Sequence, residues 1–175
     1  MSRFLAFRWR LKVASQTHTL NPYARYLQQD DPLSVISSTP QRLEQLIKSK
    51  SDEKLQANPS PQKWSVRDIL CHLADTEVAF AYRLRQTVAE PHHIIQPYDQ
   101  DAFAAEYTHR NSREALDAFS AIRRWNVLFI RSAVPHALTK PVTHPERGTM
   151  TFQTILETMG GHDLNHLSQI TALLR

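Results

Sequence analysis

Glycine is scarce in this sequence, with three in 175 residues. Tight turns and bulges draw on glycine for backbone of positive φ, so its scarcity argues against a turn-rich β protein. The ten prolines cluster between periodic segments, which points to long helices joined by proline-marked loops, an all-α class. A single cysteine, Cys71, excludes an intramolecular disulfide and suits a reducing cytosol, so a cytoplasmic location is expected. No apolar run is long enough to span a bilayer, and no membrane partner is expected. What remains, 41% hydrophobic and 22% charged residues, is the composition of an ordinary globular chain with one core.

The net charge of +4 invites a nucleic-acid reading until it is located. Arg3, Arg8, Arg10 and Lys12 lie in the first twenty residues with no acid among them, which leaves 17 basic side chains against 17 acidic ones in the rest. A neutral body lacks the electrostatic footprint of a dedicated DNA binder, so no nucleic-acid partner is expected. Basic residues interrupt Phe4-Leu5-Ala6-Phe7-Arg8-Trp9-Arg10-Leu11, unlike the apolar core of a signal peptide. The expected division is a basic, flexible or loosely docked leader over residues 1–20 and one helical domain over 21–175.

Along that domain, Leu33, Ile36, Leu43, Leu46 and Ile47 set the period of a first helix. Thr39-Pro40 reads either as its N-terminus or as a kink in a helix already begun. Trp64-Ser65-Val66-Arg67-Asp68 is a strong start for a second helix reaching about Glu90, since Ser65 and Asp68 can cap reciprocally. Its apolar stripe runs through Val66, Ile69, Leu70, Leu73, Phe80, Leu84 and Val88. Glu77 falls inside that stripe, where a carboxylate needs a partner, and His72 and Thr76 flank it. A long connection over residues 91–111 is of a length that often covers a site. Its adjacent His92 and His93 diverge and read as loop residues. Asn111 caps a third helix running to about Ala133, with Leu116, Phe119, Val127 and Ile130 on one face. Ile122, Trp125 and Phe129 on the other face suit the leader, the loop or a homodimer contact. Thr151 caps a fourth helix. Gly160-Gly161 within it marks a close backbone approach, a local distortion or a break.

The fourth helix carries His162 and His166 four residues apart, hence one turn apart on one face, and that face is the apolar one. With His72 inward on the second helix, a bundle core could converge three neutral imidazoles on one divalent metal and leave positions open for a ligand. Such an ion can generate hydroxide or bind and deprotonate a thiol near neutral pH. Asp75, Glu77, Asp163 and Asn165 are candidates to orient the imidazoles through their outer N–H groups, with Glu77 and Asp163 also candidate catalytic bases. The zinc-protease motif is a rival for His162-Asp163-Leu164-Asn165-His166, but it needs Glu where Asp163 stands, one methylene too short, and the third zinc ligand of that class does not follow.

Three segments taken together resemble the DinB-like four-helix proteins, including their YfiT-type metal-dependent members. These are residues 64–77 (Trp-Ser-Val-Arg-Asp-Ile-Leu-Cys-His-Leu-Ala-Asp-Thr-Glu), Tyr98-Asp99-Gln100-Asp101, and residues 161–170 (Gly-His-Asp-Leu-Asn-His-Leu-Ser-Gln-Ile). The resemblance frames about residues 33–174. It implies an up-down-down-up four-helix bundle with a long loop between helices two and three, often a homodimer. By that resemblance His72, His162 and His166 are the metal ligands, and zinc or nickel is the ion. Relatives of this kind include S-transferases that use the low-molecular-weight thiols bacillithiol or mycothiol, and others proposed as metal-dependent hydrolases. The expectation is therefore an enzyme acting on a small molecule through a metal-activated thiol or water. Its alternative is a non-catalytic bundle, stabilised by metal or serving a stress-related interaction.

Overall fold

Four long helices carry the architecture, α1 (Pro32–Ile47), α2 (Val66–Ala89), α3 (Ser112–Ala137) and α4 (Phe152–Leu173). They come from a computed structural model that describes residues 20–175, so the leader, Leu20 apart, lies outside the described residues. Each helix begins where the sequence supplies an oxygen for its free N–H groups. Asp31 accepts from Ser34 N–H ahead of α1, with Pro32 in the first turn, and Asn111 accepts from Arg113 and Glu114 ahead of α3. Ser65 with Asp68 and Thr151 with Thr154 form reciprocal capping boxes on α2 and α4. The helices form an up-down-down-up bundle in which α1 and α2 each pack on both α3 and α4.

Helix α1 starts well before Pro40, which lies in its interior. A proline there has no N–H for the carbonyl of Ile36, four residues earlier. Arg123 on α3 takes that carbonyl instead, donating from Nη1 at 2.9 Å. The helix break has become a tertiary contact. Helix α3 runs past the expected Ala133 to Ala137, with Pro135 in its last turns.

The all-α reading missed a small sheet. Strands β1 (His93–Ile94), β2 (Pro141–His144) and β3 (Gly148–Thr151) pair in that order, β1 parallel to β2 and β2 antiparallel to β3. Gly148, at φ +96°, closes the hairpin where a residue with Cβ would be strained. The sheet ties the α2–α3 crossover to the α3–α4 connection across one end of the bundle. Strands of two to four residues with little alternation leave almost no signal in a sequence.

Gly160 and Gly161 lie in unbroken helix. The short turn Ala24–Leu27 lies against them: a Cβ on Gly161 would come within 2.5 Å of the Tyr23 carbonyl oxygen, and one on Gly160 within 3.0 Å of Leu27 Cδ1. Close approach is thus the reason for the pair, and it seats Tyr23 beside the middle of α4.

The buried apolar side chains fall into two clusters. One gathers Ile36, Phe80, Leu84, Ile130, Phe152 and Met159, the other Leu43, Leu70, Leu73, Phe119, Leu167 and Ile170. On every helix a polar residue separates the two: Thr39 on α1, His72, Thr76 and Glu77 on α2, Arg123 and Asn126 on α3, and His162, Asp163 and His166 on α4. The bundle is two apolar halves with a buried polar layer between them.

Candidate metal centre

Histidine occupies one side of that layer. The Nε2 atom of His162 lies 2.9 Å from His72 Nε2 and 3.1 Å from His166 Nε2. The ligand atoms of all three lie within 4.8 Å of one another, and all three side chains are buried. The i,i+4 spacing on α4 supplies two of the rings and α2 the third, as the sequence predicts. Imidazole nitrogens bind zinc at about 2.0–2.1 Å, which sets neighbouring nitrogens roughly 2.8–3.4 Å apart around one ion, depending on geometry. The observed separations match the tighter end of that range. Three converging nitrogens cannot all be satisfied by hydrogen bonds to each other, whereas one cation satisfies all three.

The rings are held in place from outside. His166 Nδ1 donates to Gln169 Oε1 at 2.8 Å, which leaves its Nε2 lone pair facing the other rings. Thr76 Oγ1 sits 3.4 Å from His72 Nδ1 and 2.8 Å from the Tyr98 hydroxyl, linking the crossover to the centre. Trp64 packs 5.0 Å from the His72 ring and Tyr23 meets the His162 ring edge-on at 5.1 Å, centroid to centroid.

Burial pushes the His72 pKa down to about 3, and repulsion from His166, were both protonated, adds to the effect. Burial drives His162 well below its ordinary value, reinforced by His166, His72 and Arg123. Burial also lowers His166, against the Gln169 bond and the Asp163 charge. All three imidazoles are therefore neutral at pH 7, the protonation state a metal requires of them.

Glu77 and Asp163 are placed side by side beneath the histidines, and Arg123, 2% exposed, joins them. Its Nη2 donates to Glu77 Oε2 at 2.7 Å and to Asp163 Oδ1 at 3.1 Å, and its Nη1 to Asp163 Oδ2 at 2.5 Å. Asn126 Nδ2 donates to the remaining Glu77 oxygen at 2.7 Å. All four carboxylate oxygens are engaged. Burial alone would lower the Arg123 pKa, but Asp163 and Glu77 outweigh it and raise it. Asn165 lines an opening beside His166 and Gln169, while Asp75 lines a separate cleft with Cys71 and Tyr107. His93 pairs with Glu90 and His92 bonds Thr143 on β2, so neither joins the cluster.

Sequence reasoning did not single out Arg123 or Asn126. Both fall on the stripe that includes Phe119 and Val127, so the signal that marked Glu77, a polar group inside an apolar stripe, was present in α3 as well. His144 was also passed over. It is buried in the cavity above His72 and His162, and burial, then Arg147 and Arg83, push its pKa down to about 4.

Known proteins share both the sequence and the bundle. The chain is 27% identical over 145 residues to a candidate metal-dependent hydrolase of Oceanobacillus iheyensis, covering 82% of this chain and 84% of that one. It is 24% identical over 153 residues to YfiT of Bacillus subtilis, also named as a candidate metal-dependent hydrolase, covering 85% of each chain. The solved structure of that YfiT, described as having an unusual four-helix bundle topology, superposes with a TM-score of 0.76 at 22% identity, over 83% of this chain and 85% of that one, which supports the fold. The family model described as the DinB superfamily matches residues 36–170, a span that holds all three histidines, and the chain belongs to that superfamily.

Proposed function

We propose that the protein is a metal-dependent enzyme in which His72, His162 and His166 hold one divalent ion, zinc or nickel, against a small-molecule substrate. The convergence of three neutral Nε2 atoms within the buried layer carries this reading. A bound ion of this kind lowers the pKa of a water or thiol at its open position and polarises a substrate oxygen. The surrounding residues keep the imidazoles neutral and oriented. Gln169 fixes the tautomer of His166, and Thr76, itself bonded to the Tyr98 hydroxyl, meets His72. Glu77 and Asp163, fully engaged by Arg123 and Asn126, serve as positioning residues that hold α2, α3 and α4 in register rather than as proton acceptors.

Hydrolysis is the first reading, supported by the names of the relatives. Thiol transfer is the second, and it rests on a specific feature: the histidines are reached from two sides. One cavity of about 190 Å³ meets His72 and His162, and a wider one of about 630 Å³ meets His72 and His166 beside Trp64 and Lys63. Two approaches suit two reactants, a thiol and its acceptor. A cytoplasmic setting and a homodimer through the exposed Trp125 face are parts of the same proposal.

Metal analysis of the purified protein beside its H72A/H162A/H166A variant tests the site. About one ion per chain in the first and none in the second is expected, and equal content would refute it. Chelation and reloading with zinc or nickel then test the enzyme, read with a panel of esters and amides and with low-molecular-weight thiols plus electrophiles. Metal-dependent turnover is expected. Loss of melting temperature on chelation with no turnover in either arm would favour a structural metal instead.

A further inference from the structure

The smaller of the two cavities carries a second chemical feature. Arg83 on α2 and Arg147 at the β2–β3 turn both line it, together with His72 and His162 at its base. Arg83 is half-buried, and its guanidinium lies 5.6 Å from the Tyr98 ring centroid and 6.0 Å from that of Phe80, with Nη2 donating to the Gln96 carbonyl at 3.4 Å. Phe80 in turn packs edge-on 6.3 Å from the His162 ring. The Arg83 guanidinium thus lies within cation–π range of two rings, one aromatic ring away from the histidine cluster. Among the described residues, neither Arg83 nor Arg147 forms an ion pair with a carboxylate. The one acid lining the cavity, Glu146, is exposed, and its backbone N–H, not its carboxylate, makes the local bond, to His144 Nδ1. Burial lowers the Arg83 pKa, and the positive charge of Arg147 lowers it further against the opposing effect of Tyr98.

Two cations lining one concave site and paired with no carboxylate are expensive unless an anion joins them. Guanidinium groups bind oxyanions through paired N–H donors, and a preset fork does so with little ordering cost. We infer that Arg83 and Arg147 form an oxyanion subsite for the substrate, which carries a carboxylate or phosphate group gripped there while its reacting end reaches the His72–His162 edge. This inference rests on the metal-enzyme reading for the identity of the reacting end, but the subsite itself depends only on the two arginines. It defines the substrate class as anionic, with the charged group on the side of the hairpin. Arg147 comes from the turn that Gly148 closes, so the small sheet presents one half of the subsite.

Calorimetric titration of the zinc-loaded, full-length protein with inorganic phosphate, with succinate and with neutral succinamide tests the subsite. One of the two anions binds and succinamide does not; which anion binds names the group. R83Q and R147Q each weaken that binding by about tenfold or more, with metal content and melting temperature held. Because Arg83 stacks within the bundle and Arg147 sits on a surface turn, R147Q remains informative if R83Q folds poorly. Unchanged affinity in R147Q, or no binding of either anion, overturns the inference. The H72A/H162A/H166A variant separates the two readings: arginine-dependent anion binding without any metal dependence supports the subsite even if the metal analysis fails, and metal binding without anion binding does the reverse.

Discussion

Arg123 and Arg83 stand on opposite sides of the same three histidines, and their surroundings differ in kind. Arg123, beneath them, meets two carboxylates, one of them shared with Asn126, and the carbonyl that Pro40 leaves open. Arg83, above them, meets two aromatic rings, one carbonyl and a second arginine across a cavity. Where charge is part of the framework, this chain supplies its counter-charge from within. Where counter-charge is withheld, in a concave site beside a metal-type donor set, the charge is reserved for a ligand. The same contrast applies to His166 and His72, whose Nδ1 atoms meet Gln169 and Thr76 while their Nε2 atoms face the cluster.

The contrast predicts very different costs of removal. R123M leaves Glu77 and Asp163 buried without their cation, so a loss of about 3–5 kcal/mol in urea unfolding is expected. G161A should come next. Alanine ordinarily gains about 1 kcal/mol over glycine in a helix, but here its Cβ meets the Tyr23 backbone at 2.5 Å, and overpacking of this sort costs about 1–3 kcal/mol. A fall in melting temperature, rather than the usual rise, checks the sign. R83Q is predicted to change stability by no more than about 0.5 kcal/mol, since the one hydrogen-bond acceptor it releases, the Gln96 carbonyl, is exposed to water. If R83Q proves as damaging as R123M, the distinction between framework charge and ligand charge collapses.

The smallest effect concerns Cys71, which sits outside the histidine layer. Burial raises its thiol to about 11, aided by the charges of Asp68 and Asp75 and opposed by those of Arg67 and Arg110. Its folded pKa thus lies above the ordinary value of 9.0, so the stability it contributes is fully present below pH 9 and is lost as pH rises through about 11. Alkylation by iodoacetamide should accordingly be slow at pH 8 and accelerate only toward pH 11. Rapid modification at pH 8 would show an exposed thiolate that the packing of Cys71 does not allow.

Much of the bundle was legible because its signals are local. Ser65 with Asp68, Asn111 and Thr151 each mark a helix start by supplying an oxygen to nearby N–H groups, and each does so in the structure. The histidine cluster was legible for the same reason, since His162 and His166 are one helical turn apart and His72 flanks a readable stripe. Local signals gave less where the cause is distant. Pro40 is ambiguous in sequence because what tolerates it inside α1 is Arg123, on another helix. Gly160-Gly161 could be read as a break because the turn it admits, at Tyr23, belongs to another segment. The role of Glu77 depended on the partner it finds on α3. The sheet escaped because its strands are held by pairing across two loops rather than by any periodicity of their own.

Both the framework and the ligand-facing charge are organised around three converging Nε2 atoms, the donor set proposed to hold one ion. X-ray absorption at the metal edge of the purified, zinc- or nickel-loaded protein tests that convergence most directly. Three imidazole nitrogens at about 2.0–2.1 Å are predicted, with oxygen ligands completing the shell, and that signature is lost in the H72A/H162A/H166A variant. A spectrum free of imidazole scattering, or one left unchanged in that variant, would contradict it.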